Sequence, residues 1–335
     1  MKTPTRRISK IQPETFFPET VRTVALAAPA GPVEPETLSR TVDFLRSMHL
    51  NILPAKSVSG KKGASHLSGS AGERAADLNS FIRNPSVDLI LCLRGGFGSV
   101  HLLEEIDWET LRTRRLPIAG YSDITALHMA MLSKKAGIPL TARMAATLEK
   151  DLRNPFTARS LRRVFSLAFT KNKTRCPFRA VARLTPIVSG NETVSAPIVC
   201  ANLTVLASLC GTLFLPSMKN RILILEDIAE PVRKLDRALT QLQMNGVFRD
   251  CAAVIFANFK KCSPAEEIKP LAERLAAENS IPVYSGLAFG HCARSLSFLC
   301  GEDAILSGGV LKVRFPECRL SDAGAPGGRR IRPFF

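Results

Sequence analysis

The segment LPIAGYSDITALHMAM, residues 116–131, runs from an apolar strand through Gly120 into an apolar-periodic helix, with Tyr121, Ser122 and Asp123 at the junction. A tight strand-to-helix turn exposes a serine oxygen. The amide that follows, at a helix N-terminus, faces the same space and can hold a developing oxyanion. Ser, Asp and Thr are also the favoured helix caps, so the segment reads locally as a cap or as a nucleophile. RGGFGS, residues 94–99, follows a fully apolar strand. Its glycines either bring backbone N–H groups close to a phosphate or oxyanion, or simply make a tight turn. A serine nucleophile needs a base, usually histidine. Of the five histidines, His128 lies on the helix after Ser122 and points away from it; His49 ends a helix, His66 sits in a Gly/Ser-rich loop and His101 starts a helix. His291, in FGHC, follows a strand where an active-site loop would emerge. Glu226 and Asp227 end the apolar run RILILED, either to orient an imidazole or as solvent-facing turn residues.

These groups need strands that end where they begin. In the N-terminal half, apolar runs at 24–30, 51–55, 87–93 and 116–120 alternate with helical patterns at 36–49, 72–84, 100–106 and 124–137. Such alternation predicts an α/β fold: a Rossmann-like domain with a parallel sheet covered on both faces. Ligands would sit at the carboxyl ends of its strands, where RGGFGS and GYSD fall. A smaller C-terminal α/β domain is expected, with strands at 221–227, 251–259 and 281–291 and helices at 232–246 and 270–280. The expected division is a disordered leader (1–21), an N-terminal domain (22–147), a basic linker with one helix (148–184), a C-terminal domain (185–318) and a basic tail (319–335).

A chain of 335 residues exceeds one hydrophobic core, in keeping with two domains. No apolar stretch approaches the roughly 18 residues of a membrane span, and no apolar core follows the N-terminal charges as in a secretory signal. Nine scattered cysteines, without a CxxC pair or a Cys/His cluster at zinc spacing, weaken disulfide and metal readings and favour the cytoplasm. The net charge of +17 raises nucleic acid as a partner. Much of it, however, lies in one connecting segment: residues 153–183 hold nine Lys or Arg and no Asp or Glu. One Trp and two Tyr leave little for bases to stack on, so these charges read as solvated faces or as a general attraction for acidic ligands.

In order and spacing, APAGP near the start, GSAGERAADLNSFIRNPSVDLILCLRGGFGSVHLLEEIDW, GYSDITAL, ILILEDIAEPVRKLDRALTQL and GLAFGHC resemble the LD-carboxypeptidases. These serine peptidases include muramoyltetrapeptide carboxypeptidases and the microcin C immunity hydrolases. The resemblance covers about residues 22–315. It implies Ser122 as nucleophile, His291 as general base, Glu226 as the carboxylate orienting it, and the amides of Gly96 and Asp123 as oxyanion hole. The site would lie in the cleft between the domains. Arg94, beside the glycine loop, is a candidate for reading the leaving carboxylate; Gly95 and Asn202 are further candidate substrate contacts. The implied reaction removes terminal D-alanine from murein tetrapeptides during wall recycling, in the cytoplasm, by a homodimer, with neither metal nor other cofactor. Two segments depart from the family: LTARMAA (140–146) replaces a His-Gly-Pro stretch, and Cys200-Ala201-Asn202-Leu203 replaces Gly-Gly-Asn-Leu. The competing readings are an immunity-type hydrolase of a toxic peptidyl-nucleotide, or a non-catalytic protein binding acidic ligands or nucleic acid.

Overall fold

The apolar runs of the first half form five strands: β1 (Thr23–Ala27), β2 (Asn51–Pro54), β3 (Leu89–Cys92), β4 (Pro117–Gly120) and β5 (Ile138–Thr141). They pair in parallel in the order β2-β1-β3-β4-β5. Every residue of β1, β3, β4 and β5 is buried, as a parallel sheet covered by helices on both faces requires. The covering helices are α1 (Pro35–Arg46), α2 (Ala71–Arg83), α3 (Trp108–Arg114) and α4 (Thr125–Lys134). The expected helix at 100–106 is only a 3-10 turn, Ser99–Leu102, entered from Gly98 in a left-handed conformation. This computed structural model describes residues 16–59, 66–188, 190 and 193–316.

The connection 148–184, expected as a linker, is built into the fold. Helix α5 (Ala145–Asp151) leads to α6 (Pro155–Phe169), started by Asn154, whose side chain accepts from the amides of Phe156 and Thr157. Arg163 of α6 is not a solvated charge. It makes two buried bonds to Glu302, at 2.8 and 2.9 Å. Phe165 packs its ring 4.9 Å from Phe17, and Phe16 is buried, so the end of the expected leader belongs to the core. Residues 1–15, and the tail from 319, lie outside the described residues.

The second sheet comprises β6 (Phe178–Arg183), β7 (Thr185–Val188), β8 (Val194–Asn202), β9 (Ile222–Ile228), β10 (Ala253–Lys260), β11 (Val283–Ser285), β13 (Asp303–Ser307) and β14 (Val310–Arg314). Its order is β6-β14-β13-β8-β9-β10-β11-β7. The central four, β8 to β11, are parallel, and antiparallel strands flank them. Helices α7 (Leu203–Ser208), α8 (Val232–Met244) and α9 (Ala265–Asn279) complete it. Strand β12 (Phe298–Leu299) instead crosses over and adds antiparallel to β5, so the C-terminal half closes the edge of the first sheet. Both sheets thus present the carboxyl ends of parallel strands: β3 and β4 in one, β8 and β9 in the other.

Candidate active site

Strand β4 ends at Gly120, and Tyr121 continues fully extended into Ser122, whose φ is +60°. A serine in this left-handed region is strained, as a nucleophile elbow demands. Gly120 makes the turn possible, because a Cβ there would lie 2.9 Å from Ile124. The residues that look like helix caps do other work. Asp123 accepts the Ser99 amide at 2.9 Å, and its carbonyl accepts the Ser99 hydroxyl at 2.5 Å. Thr125 accepts the Asn202 amide at 3.0 Å, tying the start of α4 to the end of β8.

The glycine loop is clamped against this turn. A Cβ on Gly95 would stand 3.2 Å from Ser122 Cβ and 3.3 Å from its Oγ, so a side chain there would press on the serine. Gly96 has φ +119°, open only to glycine in practice. Beneath, the fully buried Arg74 donates to the carbonyls of Pro29, Gly69 and Gly98, stitching three loops together. Arg94 is exposed and donates to Pro32 O at 3.0 Å.

On the facing side, β9 delivers Glu226 and Asp227, both buried rather than facing solvent. Glu226 Oε2 stands 2.7 Å from His291 Nδ1. A carboxylate there accepts a hydrogen bond from Nδ1–H, leaving Nε2 unprotonated and able to act as a base. Asn202 caps α7 with its oxygen, and its Nδ2 donates to Glu226 Oε1 (3.3 Å) and Asp227 Oδ1 (2.9 Å). Its amide therefore serves the carboxylates. Asp227 also accepts from the amide and hydroxyl of Thr204.

Tyr121 and Arg143 also join the two halves. The Tyr121 ring, one residue before Ser122, packs 4.9 Å from the His291 ring, and burial raises its phenol pKa, keeping it neutral. Arg143, just after β5, lies over that ring and donates to the carbonyls of Gly290 and Cys292, on either side of His291, at 3.2 Å each. Asp151 holds Arg143 through two bonds of 2.8 and 2.9 Å. Arg143 lies in LTARMAA, the segment that departs from the expected pattern.

Gly95 thus lies beside Ser122, Asp123 anchors Ser99 of the glycine loop, Asn202 bonds Glu226, and Glu226 bonds His291, whose ring packs against Tyr121. The other histidines stand apart. His66 and His101 flank the exposed Phe97, and His128 is buried against Ile118 O at 3.0 Å. Sequence reasoning overlooked Arg74, Ser99 and Arg143. Arg74 had a signal, since it is in helical phase with the buried Leu78, Phe81 and Ile82. An elbow serine with a glycine loop packed beside it, and an imidazole bound to a carboxylate, are parts of the kind that acyl transfer uses.

The sequence profile of the LD-carboxypeptidase N-terminal domain matches residues 24–142, and that of the LD-carboxypeptidase C-terminal domain matches residues 195–306. The chain belongs to the LD-carboxypeptidase family. The family is enzymatic and serine-type, and its two profiles bracket Ser122 in one half and Glu226 and His291 in the other. A "probable murein peptide carboxypeptidase" of Bacillus subtilis is 31% identical over 292 residues, covering 85% of this chain and 88% of the relative. The murein tetrapeptide carboxypeptidase of Pseudomonas aeruginosa is 30% identical over 297 residues, covering 86% and 94%. The crystal structure of muramoyltetrapeptide carboxypeptidase from Oxalobacter formigenes superposes with a TM-score of 0.74 at 25% identity, covering 88% of this chain and 98% of that one.

Proposed function

We propose that this LD-carboxypeptidase hydrolyses the bond to the terminal D-amino acid of murein tetrapeptides, with Ser122, His291 and Glu226 as its catalytic residues. The observation that carries the reading is the Glu226–His291 pair seated against Tyr121, one residue before Ser122. Glu226 fixes the tautomer, and His291 Nε2 takes the proton as Ser122 Oγ attacks the carbonyl carbon. The amides of Gly96 and Asp123 hold the oxyanion. His291 then protonates the leaving amine, D-alanine departs, and water activated by the same imidazole frees the acyl group from Ser122. Asn202 acts by orienting Glu226 and not by touching substrate, and Arg94, exposed beside the glycine loop, is a candidate cation for the leaving carboxylate. The names of the relatives support a murein peptide as substrate, and removal of its terminal D-alanine would serve wall recycling. Eight free thiols among the described residues support a reducing compartment, the cytoplasm.

The test is a panel of three substrates: a murein tetrapeptide ending in D-alanine, the same peptide ending in L-alanine, and a peptidyl-nucleotide. Release of alanine from the first alone is expected. Cleavage of the peptidyl-nucleotide alone would overturn the reading in favour of the immunity-type activity.

A further inference from the structure

At the opposite ends of the same strands the chain forms a second cavity, of about 490 Å³. Its wall includes Arg115, two residues ahead of β4, Gly137, which precedes β5, Arg221, which precedes β9, and the turn Gly301–Asp303. Ser122 and Glu226 stand at the carboxyl ends of β4 and β9, so this cavity and the candidate active site are separated by the length of the sheets.

Six cations line it: Arg112, Arg115, Lys135, Lys173, Arg221 and Arg314. Arg112 pairs with Glu109, and Arg314 with Asp303. The remaining carboxylate of the wall, Glu302, is taken up by Arg163. Arg115, Lys135, Lys173 and Arg221 make no ion pair among the described residues. Arg115 and Lys135 end α3 and α4, where a cation complements the helix dipole. That explanation does not reach Lys173, in the 3-10 turn Lys173–Arg175, or Arg221. Both are half-buried, burial lowers the proton affinity of each, and the charge of Arg115 lowers that of Lys173 further. Like charges brought together and partly dehydrated oppose folding unless an anion offsets them.

We propose that this cavity binds a small organic polyanion of nucleotide size bearing two or more phosphate groups. Arg115 and Arg221 offer planar forks that suit phosphate oxygens, and Lys135 and Lys173 supply mobile point charges. Met131, Ile138, Leu167 and Leu299 give the organic part an apolar wall. The volume is in the range of ordinary ligand pockets, about 300–1,000 Å³.

Calorimetric titration of the full chain with ADP, inorganic pyrophosphate and citrate tests this, with melting curves confirming that each variant is folded. Wild type is expected to bind ADP and pyrophosphate, and ADP more tightly because of the apolar wall. Lys173→Gln/Arg221→Gln should weaken both by at least 10-fold, whereas Ser122→Ala should bind as wild type. Absence of ADP and pyrophosphate binding would overturn the proposal. So would equal binding by the double variant, tighter binding of citrate, or competition with a murein tetrapeptide, which would place the anion in the active-site cleft.

Discussion

One carboxylate oxygen, Glu226 Oε2, meets His291 twice: the ring Nδ1 at 2.7 Å and the backbone N–H at 3.3 Å. Ring tautomer and loop position are therefore set by the same buried atom. Glu226→Gln keeps the size of the side chain but can turn a donor toward Nδ1, which favours the wrong tautomer. The expected result is a fall in kcat of about 10³- to 10⁴-fold with KM little changed, read by steady-state kinetics.

Gly290, with φ +95°, lies directly against that carboxylate: a Cβ there would stand 2.8 Å from Glu226 Cβ. Gly290→Ala must displace either Glu226 or the His291 loop. A shift of about 1 Å in such a group costs roughly 100-fold in rate, so a loss of at least that size is expected in kcat/KM. A crystal structure of the variant should show the His291–Glu226 contact lengthened.

Arg143 and Asp151 form a pair whose side chains are 12% and 7% exposed, and Arg143 carries the loop on both sides of His291. Arg143→Met leaves the Asp151 carboxylate with Thr147 as its one side-chain partner among the described residues, and should cost about 3–5 kcal/mol in denaturant unfolding. Adding Asp151→Asn should restore much of the stability without restoring kcat. That separation distinguishes positioning of His291 from a purely structural role.

The local parts of this site are legible in sequence because they are written in contiguous residues. The apolar run, Gly120 and the helical period around Ser122 specify a strand, a turn and a helix, and glycines mark the loop at 94–99. The contacts that assemble the site span long separations and leave no local pattern: Glu226 to His291 across 65 residues, Arg143 to Gly290 across 147. The same holds for Arg163, whose run of positive charge reads as solvated until Glu302, 139 residues on, is seen beside it. Strand β12 has two residues and no period to detect, so its crossing into the first sheet is invisible in the sequence. Asp123 and Thr125 show the reverse error: their residue types suggest capping, but their side chains brace neighbouring loops.

His128 gives a pH signature of the fold itself. Burial lowers its pKa from 6.5 to about 4, and Nε2 lies 3.0 Å from Ile118 O. As pH falls below 6.5, the unfolded chain takes up this proton while the folded one does not. Stability contributed by neutral His128 is therefore present above that pH and lost progressively toward pH 4. The loss should reach about 3 kcal/mol. Urea unfolding of wild type and His128→Gln between pH 7 and pH 4 should show a shallower decline for the variant.

The most direct measurement is the rate of D-alanine release from a murein tetrapeptide by wild type and by Ser122→Ala of matched melting temperature. With Ser122 as nucleophile, the variant should lose at least about 10⁴-fold in kcat. Equal release by the two proteins would contradict the proposed mechanism.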